Sequence, residues 1–194
     1  SDGMLNWADQ VLVATNFQRH SMNDFMRQMK GFGPEPCDGD KVICLRNYWD
    51  SWNYDNGDPL VNGTIGTISE IKYNQHHPFL KPQMIANFLP DDYTMEEAER
   101  APIDLTFRNL NIDYKLLTTG EETVTAKNFR RFPKEFRPLT FDYGYCITCH
   151  KAQGSEYDKV LVFEEFLKGG DHDRWLYTAA TRAKEKLVIV RNFR

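Results

Sequence analysis

Cysteine is scarce in this chain: Cys37, Cys44, Cys146 and Cys149 are the only thiols, and no charged-then-apolar leader precedes them. That argues against a secreted disulfide framework and for reduced thiols in a cytoplasmic setting. Long apolar runs are missing as well. None approaches the roughly 18 residues that a membrane span needs, so a membrane role is excluded. Positive charge is not in excess: 24 Lys and Arg stand against 28 Asp and Glu, a net charge of −4. Overall electrostatics therefore favour no polyanionic partner, and any such contact must rest on a local patch. The pattern G-x-x-x-x-G-K-[ST] does not occur, and with it goes the loop that cradles a triphosphate. Glu164 and Glu165 follow an apolar run but cannot replace that loop alone. No internal repeat is evident. Apolar side chains are not lacking: 41% hydrophobic and 13% aromatic residues are enough to bury a real core and to exclude a disordered tail.

The two ends of the chain share one texture and the middle has another. Residues 11–15 (VLVAT) form a short apolar run that reads as a buried strand. Residues 21–30 read as a helix, with Ser21 as N-cap, Met22, Phe25, Met26 and Met29 at helical spacing, and Gly31, Gly33, Pro34 and Pro36 stopping it. Residues 40–45 and 64–71 read as short strands, 48–57 as an exposed loop, and 83–88 and 113–117 as two further strands. An acidic stretch (Asp91, Asp92, Glu96, Glu97, Glu99) gives way to a basic, aromatic one at 127–137. Near the end, strands at 145–149, 159–163 and 187–190 alternate with a helix at 171–182 whose first turn is acidic. Apolar strands alternating with helices imply a parallel sheet covered on both faces. The expectation is an α/β domain made of 1–36 and 138–194, interrupted by a β-rich domain at 37–137.

Three segments carry chemistry. Thr148-Cys149-His150-Lys151-Ala152-Gln153-Gly154-Ser155-Glu156 takes a strand into a polar, glycine-containing turn with a cation, an amide and a carboxylate. Ligands bind in open parallel sheets beyond the carboxyl ends of strands, although a polar strand-to-helix loop has the same look. In the second segment, Arg174 to Lys184, Thr178 and Arg182 are four apart and share a helix face. Arg182 at the helix end can bind a phosphate bidentately across a cleft, or simply complement the helix dipole. Third, Thr15, Asn16 and Arg19 follow the first strand, either as a ligand-binding turn or as surface. Tyr48, Trp49, Trp52 and Tyr54 could stack on bases or line a small barrel.

Together these segments resemble a family. Residues 148–156 resemble the T-x-H-K-x-Q-G-x-E motif of RecD-like and phage Dda-like superfamily 1 DNA helicases. Residues 177–183 (YTAATRA) followed by 187–190 (LVIV) resemble their last motif, Y-T-A-x-T-R-A, and 13–16 with Arg19 and Asn23 resemble their fourth. Residues 39–47 and 61–66 resemble the SH3-like barrel that this group inserts in its second motor domain. The likeness covers about 10–71 and 139–194, and 72–137 match nothing. The resemblance implies a RecA-like parallel sheet with helices on both faces, interrupted by that insertion. It implies a C-terminal motor half that acts with ATP and Mg²⁺, single-stranded DNA and an N-terminal RecA-like domain holding the phosphate loop, in DNA repair or recombination. It makes Arg182 the arginine finger, helped by Arg19. It places Gln153, Gly154, Glu156 and Thr178 on the nucleotide cleft and Thr148, His150 and Lys151 on the strand. Lacking the phosphate loop, the chain should not hydrolyse ATP by itself.

Other readings weigh less. Cys146-Ile147-Thr148-Cys149-His150 fits the C-x-x-C-H of haem attachment or half a zinc site, but haem attachment needs an exported chain, and zinc needs four ligands that Cys37 and Cys44 do not supply. Small buried residues on opposite faces of a strand explain the pair better. Two rivals to the motor reading are a stand-alone single-strand-binding or partner-docking module with no ATPase, and a nuclease-complex subunit fragment whose insertion docks a partner.

Overall fold

The computed structural model describes residues 2–52, 57–74, 83–91, 104–133, 137–167 and 171–191. Two compact units emerge. One joins 1–32 to 145–194, and the other is the intervening 33–144. The change of texture read at 37 and 137 falls inside the second unit, because a late strand at 141–143 still pairs within it.

The first unit is built on a four-stranded parallel sheet. Strand β1 (Gln10–Val13) is buried along its whole length. It pairs on one side with β9 (Cys146–Thr148), Val11 opposite Cys146, and on the other with β10 (Tyr157–Glu164), Leu12 opposite Val162. The strand β11 (Ala183–Arg191) adds to β10, giving the order β11-β10-β1-β9. So the segments read as strands at 11–15, 145–149, 159–163 and 187–190 do lie in one parallel sheet. Helix α1 (Asp2–Trp7) precedes β1 and packs on β10. The helix α2 (Asn16–Met29) packs on β1 and β9, and α5 (Asp171–Ala180) on β10 and β11. These two crossovers step in opposite directions along the sheet, and right-handed crossovers then put their helices on opposite faces. Helix α2 begins at Asn16, not at Ser21, because Thr15 is its cap: Thr15 Oγ1 accepts from the Gln18 N–H at 3.2 Å. Met22 and Met26 hold the helix to the sheet, and Gly31, at φ 75°, turns the chain away.

The second unit holds a five-stranded antiparallel sheet. Its strands are β2 (Lys41–Cys44), β5 (Ile65–Asn74), β6 (Gln83–Pro90), β7 (Phe107–Ile112) and β8 (Phe141–Tyr143), in the order β7-β6-β5-β2-β8. Alternation fills one face with Val42, Ile68, Phe88, Phe107 and Phe141, and the Phe88 and Phe141 rings lie 5.1 Å apart. Gly66 is needed where β5 meets the Leu89 carbonyl, for no Cβ fits there. Two expectations are corrected here. Within the expected loop at 48–57, Tyr48–Trp52 is strand β3, paired with β4 (Pro59–Leu60). The strand expected at 113–117 is instead helix α3 (Tyr114–Thr119), because Asp113 caps it, Oδ1 accepting from the Leu116 N–H. Helix α4 (Val124–Lys127) follows. Tyr48 is half-buried, its hydroxyl bonded to Thr140, whereas Trp49 is 64% exposed. Tyr54, the Trp52 side chain and most of the acidic stretch lie outside the described residues.

Candidate functional site

The first unit has two chemically distinct edges. At the carboxyl edge β1 is followed by Ala14 and Thr15, and β10 ends in Glu164 and is followed by Glu165. Glu165 binds the β1–α2 turn: Oε2 accepts from the N–H groups of Ala14 and Thr15, at 2.5 and 3.0 Å, and Oε1 from Thr15 Oγ1 at 2.6 Å. Glu164 lies 2.7 Å from Arg191 Nε and 2.9 Å from His172 Nε2. Both acids are thus committed to local structure. Arg19, in the first turn of α2, donates from Nε to Asn16 Oδ1 and from Nη2 to His20 Nε2. On the other side of β1, the chain leaves β9 in a helical turn, Thr148 O accepting from the N–H groups of Lys151 and Ala152. That turn exposes His150 and Lys151, while Thr148 is buried.

The amino edge belongs to Arg182. Its Nε donates to Thr178 O at 3.3 Å, Nη1 to Ser155 O at 3.2 Å and Nη2 to Thr181 Oγ1 at 3.2 Å. All three acceptors are neutral. Among the described residues, two of the guanidinium's five N–H donors stay uncommitted and no carboxylate pairs with its charge. Thr178 contributes its carbonyl only, since its hydroxyl donates back to Arg174 O at 2.8 Å. Gln153, Gly154 and Glu156 are exposed next to Ser155, and Gly154 takes φ 87° in the turn.

The structure therefore brings Arg182 to the 153–156 turn but does not bring Arg19 to Arg182. Arg182 precedes β11 at one edge, where its carbonyl accepts from Tyr157 N–H. Arg19 follows β1 at the other. The intervening strand rises about 3.3 Å per residue, so the edges are roughly 20 Å apart. One short segment spans the gap. Residues 149–156 leave β9 at the carboxyl edge and enter β10 at the amino edge, passing His150 and Lys151 at the start and Ser155 at the end. Within it, burial pushes the Cys149 thiol up, with Arg182 pulling the other way, and it pushes up Cys146 more strongly. All four cysteines are thiols outside any disulfide.

Two of these segments, 149–156 and the one around Arg182, fall within a match to a known family model. Residues 143–190 match the UvrD-like helicase C-terminal domain. The whole chain has the fold of part of Pif1 helicase: against the enzyme from Candida albicans the TM-score is 0.52 at 17% identity, over 95% of this chain and 45% of that one. Against Bacteroides Pif1 bound to single-stranded DNA it is 0.52 at 14% identity, over 93% and 40%. Against the Bacteroides protein with ADP-AlF3 and single-stranded DNA it is 0.51 at 15% identity, over 93% and 39%. An uncharacterized protein of Methanocaldococcus jannaschii is 24% identical over 93% of this chain and 14% of its own length. The chain thus spans less than half of each of these relatives. Residues 143–190 are thus similar to the UvrD-like helicase C-terminal domain, and the likeness to Pif1 is one of fold; neither singles out the RecD-like or Dda-like branch.

Sequence reasoning missed three groups: the Ser155 carbonyl, Glu165 as the clamp of the β1–α2 turn, and two exposed rings at the carboxyl edge, Phe17 and Phe166. Motif spacing could have flagged Ser155. Nothing in the spacing distinguishes an exposed phenylalanine from a buried one.

Proposed function

We propose that this chain is the second motor domain of an ATP-dependent DNA helicase. It binds single-stranded DNA at its carboxyl edge through His150 and Lys151, with the buried Thr148 anchoring their turn, and lends Arg182 to an ATP site that an N-terminal RecA-like domain completes. The observation that carries the reading is the 149–156 segment, which has the exposed His150 and Lys151 at one edge and the Arg182 guanidinium, through Ser155 O, at the other. A phosphate arriving at Arg182 would meet two open N–H donors and a charge held by neutral oxygens, the arrangement that favours a developing anion over a resting one. Any shift of Arg182 toward that phosphate would strain its bond to Ser155 and so reach His150 and Lys151 along the same segment. Gln153, Gly154 and Glu156 would line the nucleotide side. Mg²⁺ would sit with ATP on the phosphate loop of the N-terminal domain. Arg19 is proposed only for the DNA side, given its edge. The antiparallel unit would be the SH3-like insertion.

The test is strand binding by the chain itself. It should hold an oligothymidylate weakly, with affinity falling steeply as salt rises, because a single domain supplies few phosphate contacts. Replacing Lys151→Ala should reduce affinity and lower the slope of log affinity against log salt by about one. An unchanged slope would move the DNA track away from this turn.

A further inference from the structure

Sheet edges carry unpaired N–H and C=O groups, and folded chains blunt them with short strands, bulges or charge. Among the described residues, three of the four outer edges of the two larger sheets are blunted in this way. Strands β8 and β9 have three residues each, and Asn23 covers the Cys146 backbone of β9. Strand β7 runs beside a bulge between Ala86 and Phe88 and carries Asn109 at φ 52°. The fourth edge, β11, differs. It is nine residues long, holds no proline, and keeps unbroken register with β10 from Lys186 to Arg191. Its outer side has no strand neighbour among the described residues. Its apolar residues are correspondingly wet. Val160, Leu161 and Val162 of β10 are all 0% exposed, whereas Leu187, paired with Val160, is 39% exposed, and Val188, Ile189 and Val190 are half-buried. A further strand is what would cover such an edge.

We propose that β11 pairs antiparallel with β11 of a second copy of this chain, joining two four-stranded sheets into one of eight strands. The charges along the strand select that occupant. Alternate residues share a face, so Glu185, Leu187, Ile189 and Arg191 lie on one side and Lys184, Lys186, Val188 and Val190 on the other. A twofold axis normal to the sheet at Val188 sets Glu185 of each copy opposite Arg191 of the other, and Leu187 opposite Ile189. Two opposite-charge pairs then close the ends of an apolar strip, and Val188 meets its own copy on the axis. Lys186 falls opposite Val190, so like charges do not face each other. Centring the axis on Leu187 would put Glu185 against Ile189 and Arg191 against Ala183, and centring it on Ile189 would put Arg191 against Leu187. Charge therefore fixes the register at Val188. Both charged groups are within reach of a partner: Glu185 is exposed, and Arg191, although its Nε lies 2.7 Å from Glu164, is 57% exposed and has further donors for a second carboxylate. One strand a side makes a small interface, so the association is weak and governed by concentration. It uses neither ATP nor DNA and goes beyond the motor reading.

Sedimentation velocity of the whole chain between about 1 and about 300 µM measures the association. The parent should move from monomer toward dimer across that range. Glu185→Arg and Arg191→Glu each set like charges together twice in the dimer, and each should weaken self-association about tenfold or more. An equimolar mixture of the two variants restores both opposite-charge pairs and should associate as tightly as the parent. In a third variant, Val188→Cys, the axis brings the two new thiols within disulfide reach, and mild oxidation should join two copies through position 188, as read by peptide mapping. A parent that stays monomeric at the highest concentration overturns the proposal. So do single variants that dimerise like the parent, a mixture that associates no better than either variant alone, or oxidation that joins copies through Cys37 and not through position 188. Arg191→Glu also removes the partner of Glu164, so melting curves check its fold; should it unfold, Glu185→Arg and Val188→Cys decide the matter.

Discussion

A thiol's reactivity depends on whether its anion can be solvated, and the four cysteines differ in that respect. Cys44, Cys146 and Cys149 are buried, at 0%, 0% and 3% exposure. Burial raises the Cys146 thiol well above the ordinary range, outweighing the attraction of Arg19, and raises Cys149 against Arg182. Cys37 is half-exposed, its thiol donating to Asp40 Oδ2 at 3.5 Å. At neutral pH a disulfide reagent should therefore modify one thiol rapidly, Cys37, and all four only in denaturant. The linkage has a definite sign. A thiol that titrates higher when folded contributes stability fully below the ordinary thiol pKa, and that stability is lost as pH rises through the folded value. Rapid native modification of Cys146 or Cys149, located by peptide mapping, would show that their strand is open to solvent rather than closed.

Strand β9 has three residues and lies at the sheet's edge, so one side of its backbone has no strand neighbour among the described residues. Side-chain amides substitute for one. Asn23, buried on α2, donates from Nδ2 to Cys146 O and accepts from Cys146 N–H, both at 2.9 Å, as a neighbouring strand would. The buried Gln10 adds a bond to Tyr145 O. Asn23 is therefore a positioning residue for the turn that carries His150 and Lys151. Asn23→Ala leaves buried backbone groups unsatisfied and should cost about 1–3 kcal/mol. Asn23→Asp keeps the acceptor but turns a charge on the Cys146 carbonyl, and should be no better. Denaturant melts of the two variants measure this, and an Asn23→Ala chain as stable as the parent would refute the clamp. The same elements show what the sequence made legible. Parallel strands were readable because continuous apolar runs such as Val11, Leu12 and Val13 have no other use than burial on two faces. The true start of α2 was not, because Thr15 and Ser21 are equally good caps in isolation and only the Glu165 bonds to the Ala14 and Thr15 turn decide between them. Helix α3 was mistaken for a strand because five residues cannot reveal a period, whereas a cap at Asp113 can.

At the scale of the whole chain, the motif residues were legible and their grouping was not. Arg19 and Arg182 read as partners along the sequence, yet a parallel sheet sends the turn after β1 to one edge and the turn before β11 to the other. On the motor reading proposed above, that leaves Arg182 as the guanidinium offered to a phosphate at the amino edge among the described residues, and it makes a prediction for the chain joined to a phosphate-loop domain. The chain alone should show no Mg²⁺-dependent ATP turnover above background; clean protein that hydrolyses ATP would end the reading of it as half a motor. In the joined protein, charge spreads over the transferring phosphoryl oxygens, and a preorganised fork of donors is worth most there. Arg182→Ala should lower turnover by about a hundredfold or more while nucleotide binding changes far less. Arg182→Lys keeps the charge but cannot hold Thr178, Ser155 and Thr181 and still present two donors, so it should be nearly as damaging. The bonds to those three oxygens also mean a stability loss, about 1 kcal/mol for the Ala variant, larger than a bare helix-end charge would give at its weakest. Melting and steady-state hydrolysis on both variants separate the two roles. A small stability loss with normal hydrolysis would mean that Arg182 only ties its helix end to the Ser155 turn.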